Sequence, residues 1–442
     1  MAGDPLEYLF SLEHFGIKFG LENIRAILTP LGNPERAYPS VHIAGTNGKG
    51  SVTALVDAIL RAAGYRSGRY TSPHLIDLSE RFAVNGVPAS PDHLREAAGR
   101  FRDAVLTLQA EDALPVHPTF FEATTAVAFE IFRRAAVDIA VCEVGLGGRL
   151  DATNVLLPRV TAITSIGLDH EQYLGTTLAA VAAEKAGIIK PEVPVVVGHV
   201  GAEARTVIAR IAGEQRAPIV DASGDVSIEA HQINDDGTQT MRLRTPSKDY
   251  GRVTLGLAGA HQVSNASVAV RLVEVLDEQG FRVPADAVVR GLADVQWPGR
   301  LQTITLEDGR EALLDAAHNP AGAEMLAAFL APRPRRPMVF GVMRDKDVEG
   351  ILRRLAPVVS AMIVTSALTP RAAEPERVAA VARSVRPDLD VRVEASLSAA
   401  LDAAWNLDRR ILVAGSIFLL GDVLNILGIG ASPAKNRGAA TS

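Results

Sequence analysis

The sequence predicts an α/β fold with two domains. The larger is a phosphate-loop (P-loop) type domain with a mostly parallel sheet and a small antiparallel appendage, and the smaller is a Rossmann-like α/β domain at the C-terminal end. Short β-branched apolar runs alternate with helical patterns along most of the chain, as in sheets that helices cover on both faces. A glycine-rich turn joins one such run to a helix near residue 45, and 442 residues exceed what one compact core holds.

The predicted strands are apolar throughout and lack the alternation of a half-exposed strand. They cover residues 41–44, 138–144, 160–166, 194–198, 338–342, 362–365 and 411–414. Apolar residues at helical spacing predict helices at about 52–63, 178–186, 267–279, 286–292, 321–330, 348–355 and 397–404. Strands and helices that alternate in this way predict parallel sheets.

Two interruptions divide this pattern. Residues 221–252 are polar, and Asn234-Asp235-Asp236-Gly237 has the composition of a tight turn, so we predict antiparallel strands appended to the first domain. The segment Gln296-Trp297-Pro298-Gly299-Arg300 ends the first α/β series, and a second follows. We therefore place one domain at 1–295 and the other at 296–430. The composition of residues 431–442 predicts a disordered tail.

Composition and charge exclude several classes of partner. The formal net charge of -6 argues against a general nucleic-acid binder. Cys142 is the only cysteine and lies in an apolar run, which favours a buried bystander thiol over a nucleophile. Asp4 and Glu7 stand where a signal peptide would be basic, and the apolar segment 417–429 is short and contains Asp422. We expect a cytoplasmic monomer without a membrane partner.

Residues Gly45-Thr46-Asn47-Gly48-Lys49-Gly50-Ser51 predict a phosphate-binding loop. Glycines let backbone N–H groups turn inward onto an anion, and the N-terminus of the following helix adds positive potential. Lys49 would neutralise the β- and γ-phosphates, and Ser51 would offer its hydroxyl to magnesium. The loop departs from the usual spacing, because Gly50 separates Lys49 from Ser51 and Ile43 replaces the first glycine. The alternative is an ordinary strand-to-helix turn, which would not need both a lysine and a hydroxyl.

Glu143 and His170 each follow an apolar strand. The carboxyl edge of a parallel sheet is where α/β proteins bind ligands, so Glu143 could hold magnesium near the phosphate loop. Gly145 and Gly147 loosely match a dinucleotide fingerprint, but Leu150 replaces its third glycine, and we reject a nicotinamide site. His170 could reach the same pocket; a surface or helix-capping histidine is the alternative.

Lys185 lies in an alanine-rich helical pattern and allows two interpretations. A solvated helix lysine is the simpler one. A buried lysine would instead have a lowered pKa and be a neutral, nucleophilic amine. Such an amine could take up carbon dioxide as a carbamate, which would add an oxygen ligand beside magnesium.

Several motifs together resemble the folylpolyglutamate synthase/dihydrofolate synthase family, part of the Mur ligase superfamily of ATP-dependent amide ligases. Besides the phosphate loop with its inserted glycine, they are residues 71–75 (TSPHL), 143–154 (EVGLGGRLDATN), 184–188 (EKAGI), 259–266 (GAHQVSNA), 298–300 (PGR) and 314–320 (LDAAHNP). They fall in order between about residues 14 and 422. Gln262 after His261 favours the folate branch over the cell-wall ligases.

The resemblance implies an ATP site between the two domains. The implied nucleotide contacts are Asn47, Gly48, Lys49, Gly50, Ser51, Asn265, Arg300 and Asp315. The implied magnesium ligands are Ser51, Ser72, Glu143 and His170, and the implied catalytic residues are Lys49, His170, Lys185, Arg300 and His318. Lys185 matches the lysine that the family carbamoylates to N6-carboxylysine. The acid substrate is expected near Ile17, Lys18, Phe19, Phe121, Glu122, Leu150, Asp151 and Ala152.

The implied reaction joins L-glutamate to a folate-type acid, either tetrahydrofolate or dihydropteroate or both. The γ-phosphoryl group of ATP would activate the carboxylate as an acyl phosphate, and the glutamate amine would then displace phosphate. Two alternatives stay open. One is another amide ligase of the superfamily, such as a cell-wall UDP-muramoyl-peptide ligase. The other is a P-loop switch or ATPase that regulates a partner.

Overall fold

The computed structural model describes residues 4–14, 16, 18–114 and 116–430. In this part of the chain an N-terminal unit ends with the helix Ala285–Asp294, and a C-terminal unit begins with the strand Gln302–Thr305. The predicted two-domain α/β class is confirmed. The boundary between residues 295 and 296 stays a prediction, and the tail predicted for residues 431–442 lies outside the described residues.

The first sheet is mostly parallel. Its strands, among the described residues, are β1 (Ser40–Ala44), β2 (Ser67–Tyr70), β3 (Phe82–Val84), β4 (Val87–Pro88), β5 (Ile139–Glu143), β6 (Val160–Ile163), β7 (Val195–Val197) and β8 (Ile219–Asp221). They lie in the order β4-β3-β2-β5-β1-β6-β7-β8, and only the pairs that involve β3 are antiparallel among the described strands. All residues of β1, β5 and β6 are buried, as their continuous apolar runs predict.

Helices cover both faces of this sheet. They are α1 (Pro5–Ser11), α2 (Glu22–Leu28), α3 (Lys49–Ala62), α4 (Pro91–Ala110), α5 (Phe120–Arg134), α6 (Glu171–Leu174), α7 (Leu178–Ala186), α8 (Ala202–Glu214), α9 (His261–Glu278) and α10 (Ala285–Asp294). In β5, Ile139 and Val141 pack with the core that contains α3, whereas Ala140 and Cys142 pack with the core that contains α5. Cys142 is therefore a buried free thiol, as the sequence indicates.

The predicted antiparallel appendage is present. β9 (Ser227–Ile233), β10 (Gln239–Arg244) and β11 (Asp249–Leu255) form an antiparallel sheet in the order β11-β10-β9. The turn predicted at 234–237 joins β9 to β10, and its Gly237 has a positive φ of 83°. Met241 and Val253 of this sheet share the core of α9, so the appendage packs onto the N-terminal unit.

The C-terminal unit has its own sheet. Its strands are β12 (Gln302–Thr305), β13 (Glu311–Asp315), β14 (Pro337–Phe340), β15 (Ala361–Val364), β16 (Asp390–Val393) and β17 (Arg410–Ala414), in the order β12-β13-β17-β14-β15-β16. β12 runs antiparallel to β13, and the other pairs are parallel. Its helices are α11 (Pro320–Leu330), α12 (Val348–Leu355), α13 (Pro375–Val385), α14 (Leu397–Trp405) and α15 (Ile417–Ile426). None of the described helices combines the length and the apolar character that a membrane crossing requires.

Two predicted helix starts were wrong. The helix after the phosphate loop begins at Lys49 rather than at residue 52, and α9 begins at His261 rather than at 267. Both true starts follow glycines with positive φ, Gly48 at 84° and Gly259 at 97°. The polar and glycine-rich first turns carry no apolar periodicity, so the pattern becomes visible only a turn later.

Candidate active site

A pocket with a cavity volume of about 210 Å³ lies between the two units, beyond the carboxyl ends of the central strands of the first sheet. Every residue predicted for nucleotide, magnesium or catalysis lines it: Asn47, Gly48, Lys49, Gly50, Ser51, Ser72, Glu143, His170, Lys185, Asn265, Arg300, Asp315 and His318. The pocket therefore gathers residues from across the chain, as the resemblance implies. Their individual roles stay predictions.

Two residues that directly follow β6 form hydrogen bonds with the phosphate loop. The backbone N–H of Asn47 donates to the Ser165 hydroxyl at 3.0 Å, and the Thr164 hydroxyl donates to the Asn47 carbonyl at 2.6 Å. No side chain caps the start of α3, whose N-cap residue is Gly48. The first N–H groups of a helix have no partner within it, so this uncapped end offers donors and positive potential to a phosphate.

Two lysines point at one backbone oxygen of this loop. Lys49 Nζ donates to the Gly45 carbonyl at 3.0 Å, and Lys185 Nζ donates to the same carbonyl at 2.9 Å. Lys185 is only 4% exposed, so the solvated alternative is wrong. Burial, and secondly the charge of Lys49, lowers the pKa of Lys185 to about 7. A substantial neutral fraction of the Lys185 amine therefore exists near neutral pH.

Glu143 is a buried carboxylate at the carboxyl end of β5. It is 5% exposed and accepts the backbone N–H of Ser72 at 3.3 Å. Burial raises its pKa, which Lys49 and that hydrogen bond from Ser72 oppose. Among the described residues no cation lies within ion-pair distance of Glu143. A buried carboxylate without such a partner is suited to a divalent cation.

The oxygen donors of the predicted ligand set suit magnesium. Within the described residues, no cluster of three or more His, Cys, Asp or Glu side chains could hold an ion by itself. The predicted ligands instead combine two serine hydroxyls with one carboxylate and one imidazole. Magnesium in nucleotide enzymes is held by one or two carboxylates together with substrate phosphates and water, so a sparse set of this kind is sufficient.

His170 lies at a contact between the two units. Its φ is 51°, and it stands at the N-cap of α6 without a capping side-chain hydrogen bond, so the capping alternative is wrong. Its Nε2 lies 3.1 Å from Nζ of Lys346, which comes from the loop after β14. Burial, with a contribution from Lys346, lowers the pKa of His170 to about 4. The imidazole is therefore neutral near pH 7, and in this arrangement its Nε2 lone pair accepts a hydrogen bond from the Lys346 ammonium.

Lys346 was not predicted from the sequence. Its side chain is 7% exposed, and its Nζ donates to Asp169 Oδ1 at 2.7 Å. Burial alone would raise the pKa of Asp169, but hydrogen bonding to His318 and the charge of Lys346 hold it well below its usual range. In the sequence Lys346 stands between Asp345 and Asp347. This pattern is also typical of an exposed turn, so it does not identify Lys346 as a residue of the site.

Asn319 forms a second contact between the units. Its Nδ2 donates to Asn47 Oδ1 at 3.0 Å and to Asp169 Oδ2 at 3.1 Å, while Asn47 Nδ2 donates to Asn319 Oδ1 at 3.3 Å. His318 beside it has Nδ1 2.8 Å from the Ala316 carbonyl and Nε2 3.6 Å from Asp169 Oδ2. Asn319 belongs to a motif that we quoted, but sequence reasoning assigned it no role.

The linker between the units is tied to both. Asp315 accepts the backbone N–H of Leu301 at 3.0 Å through Oδ2 and that of Ala317 at 2.9 Å through Oδ1. A Cβ atom at position 50 would lie 3.0 Å from Cζ2 of Trp297. The glycine inserted in the phosphate loop is therefore the residue that faces the linker tryptophan.

The start of α9 packs on the phosphate loop. Gln262 Nε2 donates to Ser51 Oγ over 3.4 Å, and Asn265 Nδ2 donates to Gln262 Oε1 at 2.8 Å. A side chain at Gly48 would overlap the amide oxygen of Asn265. This contact places Asn265 directly against the loop to which the resemblance assigns the nucleotide.

The residues predicted for the acid substrate lie outside the pocket lining, and their role stays a prediction. Ile17 lies outside the described residues, and Lys18, Phe121, Leu150 and Ala152 make no contact with the cavity. Phe19 is 42% exposed and packs on Tyr173 with ring centroids 5.7 Å apart. Glu122 and Asp151 have structural contacts, since Glu122 completes the capping box of α5 and Asp151 accepts the backbone N–H groups of Leu146 and Thr153.

Comparisons with known proteins agree with this site. The family model of the Mur ligase middle domain matches residues 43–273, and that of the Mur ligase glutamate ligase domain matches residues 299–417. The dihydrofolate synthase/folylpolyglutamate synthase of Mycobacterium tuberculosis is 38% identical over 429 residues, which is 91% of this chain and 87% of the relative. That of Bacillus subtilis is 36% identical over 374 residues, which is 84% of this chain and 86% of the relative.

Solved structures give the same answer. Mycobacterium tuberculosis folylpolyglutamate synthase, complexed with ADP and AMPPCP, superposes with a TM-score of 0.89 at 37% identity and covers 97% of this chain and 100% of its own. An Escherichia coli relative in complex with DHPP and ADP superposes with a TM-score of 0.83 at 29% identity and covers 97% and 98%. The chain belongs to the folylpolyglutamate synthase/dihydrofolate synthase family of Mur ligases.

Proposed function

We propose that this ATP-dependent ligase couples L-glutamate to both dihydropteroate and tetrahydrofolate. The observation that carries the proposal is the pocket, in which a phosphate loop, two lysines and a buried carboxylate face Arg300 and His318. The Mycobacterium and Bacillus relatives are named for both activities, whereas the Lacticaseibacillus casei relative, at 32% identity, is named for polyglutamylation alone. The greater similarity to the first two supports a bifunctional enzyme.

The residues around the cavity would act mainly through charge and position. A carboxylate resists nucleophilic attack, and phosphorylation gives it a good leaving group. Lys49 and the N-terminus of α3 would hold the phosphates of ATP, and Arg300 would offset charge on the γ-phosphoryl group as the substrate carboxylate attacks it. The glutamate amine then attacks the acyl carbon, and phosphate departs with one of the original carboxylate oxygens.

Ser51, Ser72, Glu143 and His170 would hold magnesium, which supplies Lewis-acid stabilisation of the phosphate charge. Lys185 would contribute as a carbamate. The ammonium form first loses a proton, and the neutral amine then bonds to the carbon of carbon dioxide and loses a second proton, so that a buried cation becomes a carboxylate-like anion. This change would also relieve the repulsion between Lys185 and Lys49, which share the Gly45 carbonyl.

The contacts between the units would exclude water from the reacting groups. Asn47 pairs with Asn319, and Asp169 pairs with Lys346, on the side of the pocket where the units meet. An acyl phosphate hydrolyses unless water is kept out, and contacts of this kind form when two domains close. We propose that a monomer suffices, since all residues predicted for the nucleotide, magnesium and catalysis meet in one pocket of a single chain.

Release of ADP tests the proposal. Purified protein receives ATP, magnesium and L-glutamate, with dihydropteroate, tetrahydrofolate, a UDP-muramoyl peptide or no acid. We expect turnover with each of the two pterin acids and none without an acid. Turnover with one pterin acid alone would restrict the activity to that acid. Turnover with the muramoyl peptide alone would indicate the cell-wall alternative, and turnover without any acid would indicate a switch or ATPase.

A further inference from the structure

The loop that joins β2 to β3 begins in the pocket. Ser72 lines the cavity, and its backbone N–H donates to Glu143 Oε2 at 3.3 Å. These two residues form one edge of the proposed magnesium site, which we call the Ser72–Glu143 edge. Whatever holds this loop therefore also sets the position of that edge.

Three residues farther along, the same loop packs against the C-terminal unit. The side chains of Leu75 and Ile76 lie against the core that contains α15. The closest approach is to Gly421 in α15, where a Cβ atom would overlap the carbonyl oxygen of Leu75 and lie 3.1 Å from its carbonyl carbon. Position 421 therefore leaves no room for a side chain while the loop keeps this place.

The loop is compact enough to transmit a displacement from one end to the other. The carboxylate of Glu80 accepts the backbone N–H groups of Leu75, Ile76 and Asp77 at 2.8, 2.9 and 2.8 Å. Arg81 Nε donates to His74 Nδ1 at 3.0 Å. A Leu75 carbonyl that is pushed away from α15 would therefore carry this braced segment with it, and Ser72 is the next anchor.

We propose that Gly421 is a positioning residue for the active site. Because Gly421 has no side chain, the Leu75 carbonyl can pack directly against α15. This contact fixes the position of the loop and therefore of the Ser72–Glu143 edge, which would receive magnesium and the nucleotide phosphates. The C-terminal unit thus contributes to the metal site without touching it. This inference rests on the proposed function, because it takes the Ser72–Glu143 edge as the magnesium side of the pocket.

Calorimetric binding of ADP, with magnesium and with EDTA, tests the proposal without any acid substrate. In the wild type, magnesium should tighten ADP binding. Gly421→Ala should lose about tenfold of this tightening, the lower end of what disturbed supports of metal ligands cost, while ADP binding in EDTA stays unchanged. The rate of ligation should fall by up to about 100-fold, as expected for a displacement of about 1 Å.

Gly213→Ala is the matched control, because Gly213 lies in helix α8 with no heavy atom within 4 Å of an added Cβ. It should keep the full effect of magnesium. Leu75→Ala removes the apolar contact between the loop and α15 without adding an atom. We expect this variant to lose part of the tightening of ADP binding by magnesium. If Gly421→Ala fails to fold, Leu75→Ala tests the proposal in its place.

Two results would contradict the account in different ways. If magnesium tightens ADP binding equally in the wild type and in folded Gly421→Ala or Leu75→Ala, the role of Gly421 is refuted and the proposed function stands. If magnesium does not tighten ADP binding in the wild type, the metal assignment fails, and the role of Gly421 fails with it.

Discussion

Lys49 and Lys185 donate hydrogen bonds to the same acceptor, the carbonyl oxygen of Gly45, at 3.0 Å and 2.9 Å. Two ammonium groups around one oxygen repel each other, and Lys185 is buried. Burial and the neighbouring charge of Lys49 therefore disfavour a charge on Lys185 and lower its pKa.

We expect Lys185 to take up carbon dioxide as a carbamate. Its pKa of about 7 means that the neutral, reactive amine increases as the pH rises from 6 to 8. With ¹³C-labelled bicarbonate, a carbamate signal should appear in the NMR spectrum and grow over that range. Lys185→Ala should lack the signal and lose activity by about 100-fold, as for a lost metal-site support. Lys190→Ala serves as control, since Lys190 bonds instead to Asn154. A wild type without the signal at any pH would contradict this prediction.

Lys346→Met should destabilise the contact between the two units. It would leave Asp169 without its closest cation, and loss of one partner of a buried ion pair costs about 3 kcal/mol. We expect a lower melting temperature and a higher KM for ATP. Arg353→Met is the control, because its ion pair with Glu349 lies on the surface, where such a pair contributes less than about 1 kcal/mol. Equal shifts in melting temperature for the two variants would show that Lys346 does not stabilise the contact between the two units.

Asp315→Asn should weaken ATP binding by disturbing the linker. Both carboxylate oxygens accept backbone N–H groups, from Leu301 and Ala317, and the amide would turn a donor towards one of them. An unmade buried hydrogen bond costs about 1–3 kcal/mol, so we expect the KM for ATP to rise by roughly tenfold or more. Asp308→Asn in an exposed turn is the control and should leave the KM unchanged. A normal KM in Asp315→Asn would exclude this role.

Stability should fall in acid partly because of His42. This imidazole is fully buried in β1, and burial lowers its pKa from 6.5 to about 3. Between these two pKa values the unfolded chain binds a proton at His42 that the folded chain does not bind. The free energy of unfolding therefore decreases as the pH falls from about 6.5 towards 3. His42→Asn should show a flatter decline of melting temperature between pH 6.5 and pH 4, whereas replacement of the exposed His93 should not change the slope. An identical slope for His42→Asn would refute the assignment.

Sequence patterns predicted several strands whose side chains face a core on both sides, although they missed β13, whose Leu313 and Leu314 face different cores. The strands β1, β5 and β6 carry apolar runs, and the glycines of the phosphate loop mark it as a turn in the sequence. β2 was not predicted, because Ser67-Gly68-Arg69-Tyr70 has little β propensity and is a strand through packing. A Cβ atom on Gly68 would lie 2.8 Å from the ring of Phe132 in α5, a contact that local sequence does not reveal.

The same distinction holds for the site. Residues such as Lys49 and Glu143 stand in motifs whose spacing carries chemistry, so the sequence pointed to them. Lys346 and Gly421 make contacts between the two units with residues far away along the chain, so no local pattern marks them. Asn319 stands in the motif at 314–320, but its partners Asn47 and Asp169 are equally distant, so the motif does not reveal this contact.

Transfer of oxygen from the acid substrate to phosphate tests the central claim most directly. Dihydropteroate with ¹⁸O in its carboxylate is incubated with enzyme, ATP, magnesium and L-glutamate, and the released phosphate is analysed by mass spectrometry. Activation as an acyl phosphate predicts one ¹⁸O atom in each phosphate that accompanies a new amide bond. Unlabelled phosphate with normal product formation would show that the carboxylate is not phosphorylated, and the account of this site as a ligase centre of that kind would be wrong.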